Sequence, residues 1–129
     1  MNGRYLLDTN AVIGIFAGDT GVLSIVSPAA ECFLSSIVLG ELFYGAQHSS
    51  KGDDNLKRIQ VFCDTVTVLS CDQETAVEYG RIKSQLRDTG KPIPENDVWI
   101  AAIAAQHQLP LLSRDQHFDE VNGLNRVSW

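Results

Sequence analysis

The stretch that decides the fold is YLLDTNAVIGIF, residues 5–16. Its first three residues are apolar and predict a short strand, while residues 10–16 have the spacing of a helix, which Gly18 ends. Asp8 therefore lies at a strand-to-helix junction. If strands and helices continue to alternate along the chain, this first unit belongs to a parallel sheet covered by helices.

The alternation continues to the last residue. We predict further strands at residues 31–34, 66–69, 109–112 and, at an edge, 126–129. Helices are predicted after Ser35 or Ser36 as N-cap, at residues 56–63, from Asp72 to about residue 89, and from about residue 96. On the helix from Asp72, the side chains expected to face inward are Val77, Tyr79, Ile82 and Leu86. Residues 48–54 form a polar loop, and the prolines in residues 91–95 favour an extended connector. This order predicts an α/β fold with a short, mainly parallel central sheet and helices on both faces.

Length and composition limit the possible classes of protein. The 129 residues predict a single domain, residues 1–129, and 44% hydrophobic with 20% charged residues is typical of a globular chain. The formal net charge of −6 argues against a broad electrostatic grip on nucleic acid. It still allows a nucleic acid substrate if the excess carboxylates are gathered at a site that binds cations.

Cysteine spacing and apolar runs indicate the compartment. The three cysteines form no CxxC pair, so neither a disulfide framework nor a zinc site is predicted. Asp8 interrupts the first apolar run before it could serve as a signal-peptide core, and no run approaches the roughly 20 residues of a membrane-spanning helix. We expect a cytoplasmic protein without a membrane segment.

One carboxylate stands alone in an apolar run. In SSIVLGELFYG, residues 35–45, Glu41 is the single charge, which indicates either a helix rim or a group held inside for chemistry. Three other acids are predicted near the carboxyl ends of strands or at the start of a helix, where the crevice of a parallel sheet lies. The four side chains predicted to converge there are Asp8, Glu41, Asp97 and Asp115.

Four convergent carboxylates require cations. Their mutual repulsion and burial would otherwise raise their pKa values and neutralise them. Oxygen ligands without a matching histidine or cysteine suit Mg²⁺, with Mn²⁺ as the other option. Such an ion activates water and neutralises a phosphate under attack, as in nucleases.

Each acid also has a simpler interpretation. Asp8 could cap the following helix, Glu41 could lie on a helix rim, and Asp97 suits a helix N-terminus through the macrodipole. Asp115 could be a turn residue, with Asp119 and Glu120 as competing candidates for the fourth acid. These explanations are independent of one another, whereas a metal site requires all four acids together, so their joint occurrence favours the site.

Four segments carry a family resemblance, namely LLDTN, SSIVLGELFYG, PENDVWIAAIA and LPLLSRDQHFDEV. In order and spacing they resemble the PIN-domain ribonucleases, most closely the VapC-like toxins of bacterial toxin–antitoxin modules. The resemblance covers essentially the whole chain. It implies a PIN-like three-layer α/β/α sandwich. The residues that take the places of the family's acidic quartet are Asp8, Glu41, Asp97 and Asp115. Thr9 and Ser113 stand where the family often has hydroxyl residues.

The resemblance also implies an activity and partners. The activity is Mg²⁺-dependent hydrolysis of RNA, with Asp8, Asp97 and Asp115 holding one or two metal ions and Glu41 acting as ligand or positioning the attacking water. The partners are an RNA substrate, a cognate antitoxin protein that blocks the site, and a second copy of the chain in a homodimer.

Competing functions are weaker. A phosphoacceptor receiver needs paired acids at the first strand and a late lysine, and an aspartate-nucleophile phosphatase needs a second Asp where this chain has Asn10. A non-catalytic protein-binding module with the same fold is the alternative of a different class. We assign His48, His107 and His117 to solvent-exposed or charge–dipole positions rather than to catalysis.

Overall fold

The computed structural model describes residues 3–129. Its strands are β1 (Arg4–Leu7), β2 (Glu31–Ser35), β3 (Thr67–Leu69), β4 (Leu111–Leu112) and β5 (Arg126–Val127). Its helices are α1 (Thr9–Phe16), α2 (Thr20–Ile25), α3 (Ser36–Gln47), α4 (Gly52–Cys63), α5 (Gln73–Thr89) and α6 (Glu95–His107), with a 3₁₀ helix at Gln116–Glu120. The predicted alternation of strands and helices is confirmed.

The five strands form one parallel sheet in the order β3-β2-β1-β4-β5. In register, Leu7 of β1 is aligned with Leu34 of β2 and with Leu112 of β4. The chain first moves outward from β1 to β3 and then returns to β4. Because parallel crossovers are right-handed, the outward connections and the returning α5–α6 pair cover opposite faces of the sheet. The predicted α/β sandwich is therefore confirmed, with a sheet that is wholly parallel.

The core lies where this sheet meets α6. Leu6 and Leu7 of β1 and both residues of β4 are fully buried, as expected for strands covered on two faces. On α6 six residues are buried, namely Val98, Ile100, Ala101, Ala102, Ile103 and Ala104. The small alanines let the helix pack closely between the sheet and α5. Within residues 3–129, no helix combines the length and apolar character needed to cross a membrane.

Several element boundaries differ from the sequence-based prediction. The short helix α2 was not predicted; the Asp19 carboxylate caps it by accepting a 2.8 Å hydrogen bond from the Gly21 amide. Helix α4 begins at Gly52, inside the predicted polar loop, because Asp53 and Asp54 suit the positive end of a helix. The predicted strand at 109–112 is shortened to β4, since the Leu109 amide instead closes the end of α6 on the carbonyl of Ala104.

Helix α5 shows local prediction working at its ends and failing on its surface. The predicted N-cap Asp72 forms a capping box with Thr75, and Gly90 ends the helix with a left-handed φ of +67°. The expected inward orientation of Val77 is wrong, because this side chain is 68% exposed. The expected burial of Ile82 and Leu86 is confirmed, and Thr75, seven positions before Ile82 on the same helix face, is buried with them.

Candidate functional site

The site is built where the strand order reverses. From β1, the next strands along the chain lie on one side and β4 lies on the other. Asp8 directly follows β1, and Ser113 directly follows β4. In open α/β sheets, ligands bind outside the carboxyl ends of the strands at such a switch point. The topology therefore places the ends of β1 and β4 at the position in this sheet that is best suited to a binding site.

An open cleft of ≈ 620 Å³ lies at this point. The residues that follow the strand ends, the N-terminal parts of α1 and α6, and Glu41 from the middle of α3 contribute its walls. Its polar lining includes all the acids predicted to converge, namely Asp8, Glu41, Asp97 and Asp115, together with Thr9, Asn10, Glu95 and Asn96. The structure therefore places all four of these carboxylates on the walls of one cleft.

Asp8 is buried, with 3% of its surface exposed. It occupies the N-cap position of α1, but its side chain makes no capping hydrogen bond. Its Oδ2 instead accepts a 2.6 Å hydrogen bond from the Ser113 hydroxyl and a 3.4 Å hydrogen bond from the Asn10 amide nitrogen. The capping interpretation therefore does not explain why a carboxylate stands here.

Ser113 connects the two strand ends. While donating to Asp8, its buried Oγ accepts hydrogen bonds from the Asn10 side-chain amide at 3.3 Å and from the Asp115 backbone amide at 3.0 Å. The side-chain Oδ1 atom of Asn10 in turn accepts a 3.2 Å hydrogen bond from the Arg114 backbone amide. These contacts join positions more than a hundred residues apart, so they hold Asp8 and Asp115 in a defined relationship.

Glu41 reaches the cleft from α3. This helix begins at Ser36 because the Ser35 hydroxyl accepts a 3.0 Å hydrogen bond from the Val38 amide, as predicted for an N-cap. The Glu41 Oε1 atom then accepts a 3.1 Å hydrogen bond from the Thr9 hydroxyl of α1. The lone charge in its apolar run therefore points into the cleft rather than lying on a free helix rim.

Asp97 has a partner that sequence reasoning missed. Its Oδ2 lies 2.6 Å from Nε2 of His117, a residue that we had assigned to a solvent-exposed or charge–dipole position. The side chains are 14% and 35% exposed, so the contact is largely shielded from water. The available signal was the position of His117 two residues after Asp115, in a segment already expected to reach the site.

The structure separates the candidates for the fourth acid. Glu120 lies outside the cleft lining, and its carboxylate is 3.5 Å from the ammonium group of Lys91. Asp115 lines the cleft. Asp119 lies outside that lining, with 54% of its side chain exposed and with both carboxylate oxygens bound by Arg126 at 2.8 and 3.0 Å. Position therefore favours Asp115 over Asp119 for a role in the cleft.

The acids influence one another electrostatically. Burial and, to a smaller extent, the charges of Asp97 and Asp115 raise the pKa of Asp8 from its ordinary value of 3.8 to about 6, against the lowering effect of the Ser113 hydrogen bond. Burial is also the main reason that the pKa of Glu41 is raised, again with contributions from Asp97 and Asp115. The pKa of Asp97 is raised by burial, against the lowering effect of His117. The ionised cluster is therefore destabilised in the cation-free protein.

The donor chemistry of the cleft fits a divalent cation. In the part of the chain that the structure describes, no three His, Cys, Asp or Glu side chains stand close enough together to form a ready-made metal group. The lining nevertheless offers carboxylate, hydroxyl and amide oxygens, which are the ligands that Mg²⁺ and Mn²⁺ prefer.

Comparison with known proteins decides the family. The PIN domain family profile matches residues 5–124. The chain belongs to the PIN-domain family. This PIN domain is 36% identical over 131 residues to Ribonuclease VapC2 of Haemophilus influenzae, with 98% of each chain covered. It is 31% identical over 132 residues to the tRNA(fMet)-specific endonuclease VapC of Shigella flexneri, again with 98% of each chain covered. The predicted resemblance to VapC-like proteins is confirmed.

A solved structure supports the same assignment for the fold. The PIN domain superposes with a TM-score of 0.87 on a chain of VapBC2 from Rickettsia felis. That crystal structure contains VapBC2 bound to a DNA fragment from its own promoter. The two chains are 26% identical, and 98% of each is covered. The sheet order β3-β2-β1-β4-β5 also differs from the 2-1-3-4-5 order of flavodoxin-like domains, the class to which receivers belong. The receiver interpretation is thereby excluded.

Proposed function

We propose that this PIN domain is a divalent-cation-dependent endoribonuclease that acts as the toxin of a toxin–antitoxin module. The observation that carries the proposal is the meeting of four acids in one cleft at the switch point of the sheet. The names of its full-length relatives, a ribonuclease and a tRNA endonuclease, support RNA as the substrate class. Asp8, Asp97 and Asp115 would hold Mg²⁺, or Mn²⁺, with Glu41 as a further ligand or as the group that orients water.

The proposed cation accounts for chemistry that the carboxylates alone do not supply. Bound Mg²⁺ would lower the pKa of a coordinated water and neutralise charge on the phosphate under attack. The protein's part is to orient the acids, and the charge of the bound cation would favour their ionised form. Ser113 and Asn10 hold one oxygen of Asp8, and the Thr9 hydroxyl holds one oxygen of Glu41. Each carboxylate therefore keeps a second oxygen that is free of these contacts.

The acidic net charge is compatible with an RNA substrate. Leaving the four proposed site carboxylates, Asp8, Glu41, Asp97 and Asp115, out of the formal charge of −6 gives −2 for the remainder of the chain. A divalent cation in the cleft would offset the local negative charge that otherwise repels a phosphodiester backbone. The rest of the surface is close to balanced, so binding would rely on the cleft rather than on a broad basic face.

Cleavage of an internally labelled RNA by the purified protein tests the proposal. We expect cleavage with Mg²⁺, none with excess EDTA, and a loss of at least about a hundredfold in rate for Asp8→Asn, the scale on which positioned catalytic groups act. Asp88→Asn, which changes an exposed carboxylate on α5, is the matched control and should cleave like the parent. A folded parent that binds RNA without cutting it would instead support the non-catalytic binding module.

An adjoining groove supports the antitoxin part of the proposal. It has a volume of ≈ 480 Å³, shares Thr9, Ile13 and Glu41 with the cleft, and continues over apolar residues that include Phe16 and Leu42. An antitoxin tail that lays apolar side chains in this groove could extend an arginine to the carboxylates, where a charge-assisted hydrogen bond is strong.

Filling the groove tests this docking. Gly45 lines it, and a Cβ added there would meet open space, so Gly45→Phe should occupy the groove without disturbing the helix. We expect this variant to cleave RNA but to resist inhibition by the protein encoded in the neighbouring reading frame. Gly80→Phe, at an equally open helical glycine on α5, is the matched control and should be inhibited normally. Normal inhibition of Gly45→Phe would place the antitoxin elsewhere.

Self-association and location complete the proposal. Tyr44 on α3 and Val61 on α4 are 68% and 66% exposed, and such apolar side chains suit a contact with a second copy of the chain. Sedimentation should show a dimer that Tyr44→Lys weakens.

A cytoplasmic location follows from the proposed RNA substrate and agrees with three free cysteines.

A further inference from the structure

His117 is held rigidly beside the cleft by its neighbours along the chain. It lies in the 3₁₀ helix that begins one residue after Asp115. The next residue, Phe118, is fully buried, and its amide donates a 3.3 Å hydrogen bond to the carbonyl of Asp115. The imidazole packs against the Phe118 ring with the ring centroids 4.9 Å apart. The core contact of Phe118 therefore fixes where the imidazole can point.

The imidazole points at one oxygen of a cleft acid. His117 Nε2 lies 2.6 Å from Oδ2 of Asp97. When Asp97 is ionised, as cation binding requires, its carboxylate only accepts, so an N–H group at Nε2 donates the hydrogen bond. Both the neutral Nε2–H tautomer and the imidazolium can do so, and the contact therefore does not depend on the charge of the ring. Oδ1 of Asp97 remains available to the cleft.

We propose that His117 is a positioning residue that fixes the Asp97 carboxylate in the orientation that binds the divalent cation. This inference rests on the proposed function. The chain between Asp115 and His117 is short and anchored by Phe118, so the same 3₁₀ helix that delivers one acid also orients another. Hydrogen bonds to metal-binding groups of this kind are commonly worth 10- to 100-fold in metal affinity or activity, which sets the scale of about tenfold or more expected here.

Two amide substitutions separate the hydrogen bond from packing. The amide nitrogen of His117→Gln lies at about the distance of Nε2 from the backbone and can still donate to Asp97. The amide of His117→Asn is one methylene shorter and does not reach. The first readout is the affinity of the protein for Mn²⁺ in the absence of RNA, measured by electron paramagnetic resonance. The second is the rate of Mg²⁺-dependent RNA cleavage. His48→Asn, which replaces a histidine whose Nδ1 contacts the Tyr44 carbonyl on α3, is the control.

We expect His117→Asn to weaken Mn²⁺ binding about tenfold or more and to slow cleavage in parallel, while His117→Gln and His48→Asn stay within about threefold of the parent. Parental Mn²⁺ affinity in His117→Asn would overturn the positioning role alone. Equal losses in His117→Gln and His117→Asn would also overturn it, because packing of the ring would then be the cause. A parent that neither binds Mn²⁺ nor cleaves RNA would overturn the proposed function together with this inference.

Discussion

Replacing Asp8 with asparagine should make the cation-free protein more stable at about pH 8, although Asp8 lies at the centre of the proposed site. The reason is that its pKa is raised from 3.8 to about 6, mainly by burial and to a smaller extent by the neighbouring acids. A carboxylate whose pKa is higher in the folded than in the unfolded chain is more easily ionised on unfolding. Its charge therefore opposes folding, and asparagine removes that charge at nearly constant volume.

The size of the effect follows from the shift. One pKa unit corresponds to about 1.4 kcal/mol, so a rise from 3.8 to about 6 opposes folding by about 3 kcal/mol once Asp8 is fully ionised. Because the folded-state pKa is the higher one, binding of a proton to Asp8 stabilises the folded protein. This stabilisation is complete below about pH 4 and is lost as the pH rises through about 6. Between about pH 8 and about pH 5, the parent regains about 1.4 kcal/mol that Asp8→Asn does not.

Urea unfolding in EDTA measures this difference, with the fluorescence of Trp99 and Trp129 as the signal. We expect Asp8→Asn to exceed the parent in free energy of unfolding at the higher pH, by up to about 3 kcal/mol, and the gap to narrow by about 1.4 kcal/mol at the lower pH. Asp88→Asn should change the free energy of unfolding by no more than about 0.5 kcal/mol at either pH. A gap that is absent or the same at both pH values would refute the reasoning about burial and repulsion in the cleft.

Further substitutions separate the roles of the other site residues. Mg²⁺ should raise the melting temperature of the parent by mass action, and this increase should be smaller in Glu41→Gln. In EDTA we expect Glu41→Gln to be no less stable than the parent. An unchanged increase in melting temperature together with full RNA cleavage would place Glu41 outside the site. Asp115→Asn should slow RNA cleavage far more than Asp119→Asn, and the reverse order would transfer the role of fourth acid to Asp119. Ser113→Ala should lower the free energy of unfolding by about 1–3 kcal/mol, measured in urea, because it leaves the buried carboxylate of Asp8 without its main donor.

Local sequence was sufficient for much of the fold. The strands β1 and β2, the helix start at Ser35 and both ends of α5 were predictable, because apolar periodicity, capping side chains and glycine act within a few residues. The order of the elements then predicted a parallel sheet. The carboxyl end of a strand is also visible in sequence, so the expectation that Asp8 and Asp115 lie near one crevice needed no coordinates.

Other features depended on contacts between distant segments. A buried position on α5 went to Thr75 rather than Val77, because the orientation of the helix against α6 selects the inward face and the apolar character of one residue does not. Similarly, His117 and Asp97 are 20 residues apart, and neither residue by itself indicates the other.

The site shows the same division. The sequence determined which carboxylates were available, and the resemblance implied that they take the places of the family's acidic residues. Tertiary structure decided that Asp115 enters the cleft while Asp119 turns outward to Arg126. It also decided that Ser113 binds Asp8 across 105 positions. Hydrogen bonds and burial of this kind depend on distances that arise only when strands β1 and β4 pair, whereas capping and periodicity are fixed by the chain itself.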